Sequence, residues 1–207
     1  MPEIIKQLKA QTEQNFTLNI WNNSDHKLEI DFPKDRLRVI ESKKNVGSLA
    51  RFRLAKQTKG SPIIFIDDDQ YLEKDFIDSC LDEFDLYGEK TILGFFTRIF
   101  LDENYWRNPP GDVGEEVDYV GTAGMVLDRE IIDEEPLLQN IPKLYQKIED
   151  LYLCHLARMK YGMKLRRIEA RTHIIKDGLD QCDTIPKKSL YQHLRKEGWE
   201  LLRDARN

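Results

Sequence analysis

Apolar residues along this chain recur in two rhythms, and the switches between them mark out its elements. Over residues 2–11, Ile4, Ile5 and Leu8 share one side of a 3.6-residue spiral, with Pro2 in the first turn and Glu3 behind it, which predicts a helix. Residues 16–21 alternate apolar with polar and predict a strand, which the turn Asn22-Asn23-Ser24-Asp25 ends. Residues 37–41 predict a second strand. Asn45-Val46-Gly47 then opens a helix over 48–58 that carries Arg51 and Arg53. The run Ile63-Ile64-Phe65-Ile66 predicts a third strand, and a helix is expected over 73–86.

This βαβ rhythm predicts an α/β fold whose mixed, mostly parallel sheet is flanked by helices. In such sheets ligands bind beyond the carboxyl ends of the strands. The turns at Asn22–Ser24, at Asn45–Gly47 and at the end of the third strand are therefore expected to line one edge.

The second half is less regular. Residues 90–100 read as a strand rich in phenylalanine, and 102–114 as a long polar loop containing Trp106, of the kind that often closes over a ligand. A strand over 117–127 is interrupted by Gly121-Thr122-Ala123-Gly124. Residues 142–161 read as a helix closed by Gly162, 163–168 and 171–175 as short strands, and 187–196 as a last helix.

At 207 residues the chain suffices for one domain, 1–207, with halves at 1–88 and 89–175 and an extension over 176–207. Its net charge is −5, with 37 acids against 32 bases, which argues against nucleic acid as a partner. No apolar run approaches the ~20 residues of a transmembrane helix. Pro2, Glu3 and Lys6 leave no room for a secretory signal at the start. Cys80, Cys154 and Cys182 are odd in number and widely spaced, which suits unpaired thiols in a reducing, cytoplasmic compartment.

The chemistry concentrates in Asp67-Asp68-Asp69, three acids that end a buried strand. Like charges so close repel unless a cation sits among them. Mg²⁺ or Mn²⁺ is the natural candidate, because such ions prefer carboxylate oxygens and bridge them to substrate phosphates. Asp67 and Asp69 can reach a common ligand from either side of a turn, whereas Asp68 points away, toward helix capping. A second acidic pair, Glu149-Asp150, stands in a helical run and can supply a general base. Adjacent residues do not share a helix face, so one acid of the pair is expected to face the site.

The order of these motifs, Asn-Asn-Ser turn, Asn-Val-Gly before an arginine-bearing helix, Ile-Asp-Asp-Asp, Gly-Thr-Ala-Gly and Glu-Asp, closely resembles the GT-A-fold glycosyltransferases. The likeness is to the large inverting family that builds capsules, O-antigens and viral glycans, and it spans residues 2 to 175. It implies a metal-dependent transferase that moves a sugar from a UDP- or GDP-sugar to a hydroxyl of a glycan acceptor with inversion. Asp67 and Asp69 match the DxD motif for nucleotide-sugar and metal, with Asp68 between them, and Asp150 matches the catalytic base. Asn22, Asn23 and Ser24 match the nucleoside turn. Gly47 and Arg51 match the segment that approaches nucleotide and diphosphate, with Arg53 a further diphosphate partner. Gly121 and Thr122 match the strand facing donor sugar and acceptor. His173 matches a metal-binding histidine of some relatives, and Trp106 suits a sugar-stacking role.

Family members normally begin with a strand and a nucleotide-contacting turn before the first helix. This chain starts at the helix, so that first strand is expected to be absent. Two alternatives stand beside the transferase. One is a non-catalytic nucleotide-sugar-binding module. The other is a sugar nucleotidyltransferase, which wants a glycine-rich phosphate loop that is not seen here. An Asp-based phosphatase would place Thr or Val where Tyr71 stands.

Overall fold

The computed structural model describes residues 2–88, 90–102, 104–106, 108–134, 143, 146, 148–169, 171–175 and 187–204. In chain order its elements are α1 (Pro2–Lys9), β1 (Leu18–Asn22), β2 (Leu37–Glu41), α2 (Leu49–Ala55), β3 (Ile63–Ile64), β4 (Gln70–Leu72), α3 (Phe76–Tyr87), β5 (Thr91–Gly94), β6 (Thr97–Arg98), β7 (Tyr119–Val120), β8 (Val126–Leu127), α4 (Arg129–Glu134), α5 (Glu149–Tyr161), β9 (Lys164–Arg167), β10 (Thr172–Ile174) and α6 (Lys187–Lys196).

The central sheet has the order β3-β8-β5-β9. β5 and β9 are parallel, while β8 runs antiparallel to both β3 and β5. β3, β5 and β9 therefore point the same way and end on one edge. β1 and β2 form a parallel pair, and β4 with β10 and β6 with β7 form antiparallel pairs. The α/β class and the mixed sheet with helices on its faces are as expected, but the sheet is not mostly parallel, because β8 inserts antiparallel between β3 and β5.

Strand alternation explains how the sheet is buried on both sides. Ile92, Leu127 and Leu165 pack on one face with Leu49 and Phe52 of α2, Leu151 and Cys154 of α5, and Leu190 and Leu194 of α6. Leu93 and Val126 pack on the other with Ile4 and Leu8 of α1 and Phe76 and Ile77 of α3. Trp199 and Leu201 join the first of these cores, so the stretch after α6 is packed into it. Cys80 and Cys154 are buried free thiols, and Cys182 lies outside the described residues.

Several elements differ from the periodicity. The expected strand over 90–100 breaks at Phe95-Phe96 into β5 and β6, because β6 leaves the central sheet to pair with β7. The expected helix over 73–86 begins only at Phe76, and β4 precedes it to pair with β10. The helix expected over 142–161 is described from Glu149 onward. Its first turn holds Glu149 and Asp150 and its last holds Arg158 and Lys160, matching the helix dipole at each end. Gly162, at φ 61°, closes it in the left-handed conformation, and Met163 N–H donates to Ala157 O at 2.8 Å.

Candidate active site

The acidic triplet stands where β3 leaves the sheet. Phe65 extends the pairing past the strand, with its N–H donating to Met125 O at 2.8 Å and its carbonyl accepting from Gly124 N–H at 2.8 Å. The chain then turns sharply. Gln70 N–H donates back to Asp67 O at 3.3 Å, and Asp67 N–H donates to the Gln70 side-chain oxygen at 2.6 Å. Gln70 is itself buried and donates to Thr172 Oγ1 at 3.2 Å. A buried glutamine thus fixes the turn that presents the acids. Asp67 and Asp69 are half-buried and Asp68 is exposed at the corner. The helix-capping role expected of Asp68 has no place here, since β4 separates the triplet from α3.

Arg51, from the middle of α2, reaches this turn. Its Nη1 lies 2.6 Å from Asp67 Oδ1. Burial works against the guanidinium charge, but Asp67, Glu149 and Asp150 together hold its proton more firmly than usual. One arginine is therefore ion-paired to a strand-end acid and lies within electrostatic reach of both acids of α5. Ser48, at the amino end of α2, makes a second link by donating to Glu149 Oε2 at 2.6 Å. Asn45 and Gly47 shape the approach to this helix, with Gly47 N–H donating to Asn45 Oδ1 at 2.8 Å.

Glu149 and Asp150 do face different ways, as adjacent helical residues must. Asp150 Oδ2 accepts from the Tyr119 hydroxyl at 2.5 Å, and Oδ1 from Leu151 N–H at 2.7 Å. Burial raises the proton affinity of Asp150, while Tyr119, the Leu151 amide, Arg51 and Lys187 pull it back down. Burial, helped by the Asp150 charge, pushes the Glu149 carboxyl up to about 7, against the Ser48 hydrogen bond and Arg51. Two adjacent acids with raised proton affinity, sharing one arginine, can hold or release a proton near neutral pH.

The other sequence-derived candidates fall into three groups. Asn22, Asn23 and Ser24 spend their side chains on their own turn. Asn22 Nδ2 donates to His26 O at 2.7 Å and to Glu41 Oε2 at 2.6 Å, while its oxygen accepts from Ser24 N–H at 2.9 Å. Asn23 Oδ1 accepts from the Trp21 indole at 2.7 Å, and Ser24 Oγ donates to His26 O at 2.8 Å. These bonds make a rigid platform at the end of β1.

Gly121 and Thr122 begin the connection from β7 to β8, beside the end of β3. A side chain at Gly121 would come within 2.6 Å of Phe96, and one at Gly124 within 2.6 Å of Phe95. The glycines of Gly-Thr-Ala-Gly thus let two aromatic rings close onto the backbone. Thr122 is buried between them.

His173 lies opposite Tyr71 in the β4–β10 pair, with the two rings stacked at 4.8 Å. Ile175, just past the end of β10, donates its N–H to Asp69 O at 2.6 Å, which keeps β10 close to the triplet. Trp106 is half exposed and rests edge-on against Tyr105 at 5.1 Å.

Among the described residues, no three His, Cys, Asp or Glu side chains gather into a group that could hold a metal ion. The donor set still suits a hard divalent ion. Mg²⁺ is usually held by one or two carboxylates and completes its shell with water and substrate phosphates. Asp67 and Asp69 offer such carboxylates on one turn.

Periodicity and motif order did not disclose Ser48, Tyr105, Tyr119 or the burial of Glu149. Tyr119 reads as an ordinary inward strand residue, and nothing local marks Ser48. The adjacency of Glu149 to Asp150 was the one available sign.

A family model described as glycosyl transferase family 2 matches residues 1–131, more than half of the chain. The match covers the triplet, Arg51 and the Gly-Thr-Ala-Gly run, and ends before Glu149. No curated protein matches the chain.

Proposed function

The chain belongs to glycosyl transferase family 2, and from that premise we propose that it transfers a sugar, with inversion, from a UDP- or GDP-sugar to a glycan hydroxyl, with Asp150 as the base. The observation that carries this reading is the ion pair of Arg51 with Asp67 at the strand end, formed within electrostatic reach of Glu149 and Asp150 at the start of α5.

The acceptor oxygen attacks the anomeric carbon as the bond to the diphosphate breaks, and the attacking hydroxyl gives its proton to Asp150. Tyr119 holds one Asp150 oxygen, which fixes the carboxylate's orientation. Arg51 stands beside the site where charge develops on the leaving diphosphate and provides a fixed positive partner. Asn22, Asn23, Ser24 and Gly47 receive the nucleoside. Asp67 faces the nucleotide-sugar, Asp68 borders it from the exposed corner of the turn, and Gly121 and Thr122 face the sugar itself.

Asp69 and Asp67 are the residues proposed to hold Mn²⁺ or Mg²⁺, which would neutralise the diphosphate when bound, while His173, expected as a third ligand, stacks on Tyr71 and does not gather with them.

Two substitutions test the reading. Asp69→Ala should abolish the Mn²⁺-dependent part of UDP binding in calorimetry. Asp150→Asn should keep UDP binding and lose transfer by about 10²–10⁴-fold, the usual contribution of a general base. Turnover of Asp150→Asn at the wild-type rate would overturn the base assignment.

A further inference from the structure

We propose that the acceptor subsite is built for an anionic saccharide, held by Arg98 and Lys187 on a platform of Phe96 and Trp106. The proposal rests on the reading of Asp150 as the base, because the platform is located relative to that residue.

The connection runs through tyrosines. Asp150 accepts from Tyr119 at 2.5 Å, and the Tyr105 phenol lies close enough to feel both Tyr119 and the Asp150 charge. Arg98 lies over the Tyr105 ring at 4.7 Å, and its guanidinium is 5.7 Å from the Phe96 ring and 5.9 Å from that of Trp106. Lys187 Nζ sits 5.4 Å over Trp106, and its charge is felt at Asp150. Phe96 and Trp106 are 39 % and 50 % exposed, although both are large aromatics beside a buried core. Open aromatic faces of this kind suit the C–H face of a pyranose.

The charges give the platform its selectivity. Among the described residues, neither Arg98 nor Lys187 has a carboxylate within ion-pair distance, in a chain with five more acids than bases. Arg98 Nη1 donates to Tyr105 O at 3.1 Å, but its Nε is buried and has no hydrogen-bond partner. Among the described residues the bond to Tyr105 O is the one side-chain hydrogen bond of Arg98, so its guanidinium keeps donors for a ligand on an aromatic platform that is open to solvent. A guanidinium fork matches the paired oxygens of a carboxylate or phosphate, and a nearby ammonium adds charge without demanding geometry. The acceptor is thus a sugar bearing such a group near the hydroxyl that reacts.

The test is binding to the full chain, measured by calorimetry or ligand-observed NMR, with methyl β-glucuronide, glucose 6-phosphate and neutral methyl β-glucoside as probes. At least one anionic probe should bind about tenfold more tightly than the neutral one, and the stronger of the two distinguishes carboxylate from phosphate. Raising salt should shrink the preference. The double substitution Arg98→Gln with Lys187→Gln should erase it, with the thermal midpoint reading out the fold. Should Arg98→Gln disturb folding, Lys187→Gln alone, at the rim, should still cut the preference about threefold. Equal binding of charged and neutral probes, no binding of the charged ones, or a preference that survives these substitutions overturns the proposal. Asp150→Asn separates the two readings: it should keep the preference while losing transfer. If it transfers normally with the preference intact, the base assignment fails and the anionic subsite stands.

Discussion

Tyr119 donates its hydroxyl hydrogen to Asp150 Oδ2 at 2.5 Å, across the gap between β7 and the first turn of α5. The phenol is fully enclosed, and burial beside Asp150 keeps it protonated well past its ordinary range. Tyr119 is therefore a permanent donor that favours the ionised form of Asp150. Tyr119→Phe removes that donor and raises the Asp150 pKa further. A hydrogen bond to a charged group is worth about 1.5–3 kcal/mol, or roughly one to two pKa units. A base must be ionised to act, so the acid limb of the kcat/KM profile should move to higher pH by about that much. An unmoved acid limb would mean that Asp150 does not set it.

Arg51 is ion-paired to Asp67 and favours the charged forms of Glu149 and Asp150. Arg51→Gln strands Asp67 and lets Glu149 and Asp150 bind protons more readily. The Arg51 and Asp67 side chains are 25 % and 30 % exposed, so water screens part of the loss. A cost of about 2 kcal/mol is expected in urea unfolding at pH 8, smaller than for a fully buried pair. UDP binding should weaken in the same variant, since Arg51 is the positive partner proposed for the diphosphate.

Glu149 makes stability depend on pH in an unusual direction. Its folded pKa, pushed up to about 7, lies above the ordinary carboxylate range. Between the unfolded and folded values the folded state holds more protons than the unfolded state. Stability therefore falls as pH rises from about 4.5 to 7. Glu149→Gln can still accept from Ser48 and carries no charge. It should flatten that slope and raise the unfolding midpoint at pH 8, by an amount equivalent to about 1 kcal/mol. A variant less stable than wild type at pH 8 would mean that the charge of Glu149 is needed by Arg51 more than it is penalised by burial.

What could be read from the chain alone was local. An apolar run that ends in three acids, and an acidic pair at the first turn of a helix, keep their meaning whatever surrounds them. The parts that stayed hidden depend on distant partners. Ser48 and Glu149 are 101 residues apart, and Tyr119 and Asp150 are 31 apart. β8 was read as the end of one long strand, yet it separates β3 from β5 and runs against both. Two-residue strands carry too little periodicity to reveal this. The residues after α6 offered no motif at all, because Trp199 and Leu201 matter only through the core they complete.

Asp118 shows how that last stretch is fastened. It is fully buried, and its two oxygens accept from Phe100 N–H at 2.9 Å, Leu202 N–H at 2.7 Å and Arg158 Nη1 at 3.0 Å. Burial raises its proton affinity, and the two amides and Arg158 oppose that rise. Three donors converge on one acid, so an acceptor-only group is required. Asp118→Asn turns an amide NH₂ toward one of those donors and leaves Arg158 only its longer ion pair, with the half-exposed Glu116 at 3.3 Å. Removing one partner of a buried pair costs about 3–5 kcal/mol. The expected result is a loss of about 3 kcal/mol in urea unfolding, with faster hydrogen exchange at the Leu202 amide than at the amides of α1. Adding Arg158→Met to Asp118→Asn should restore part of the loss, because it removes a mostly buried guanidinium that has lost the shorter of its two ion pairs. If the double variant is no more stable than the single one, the three backbone and side-chain donors, and not the charge of Arg158, account for the cost.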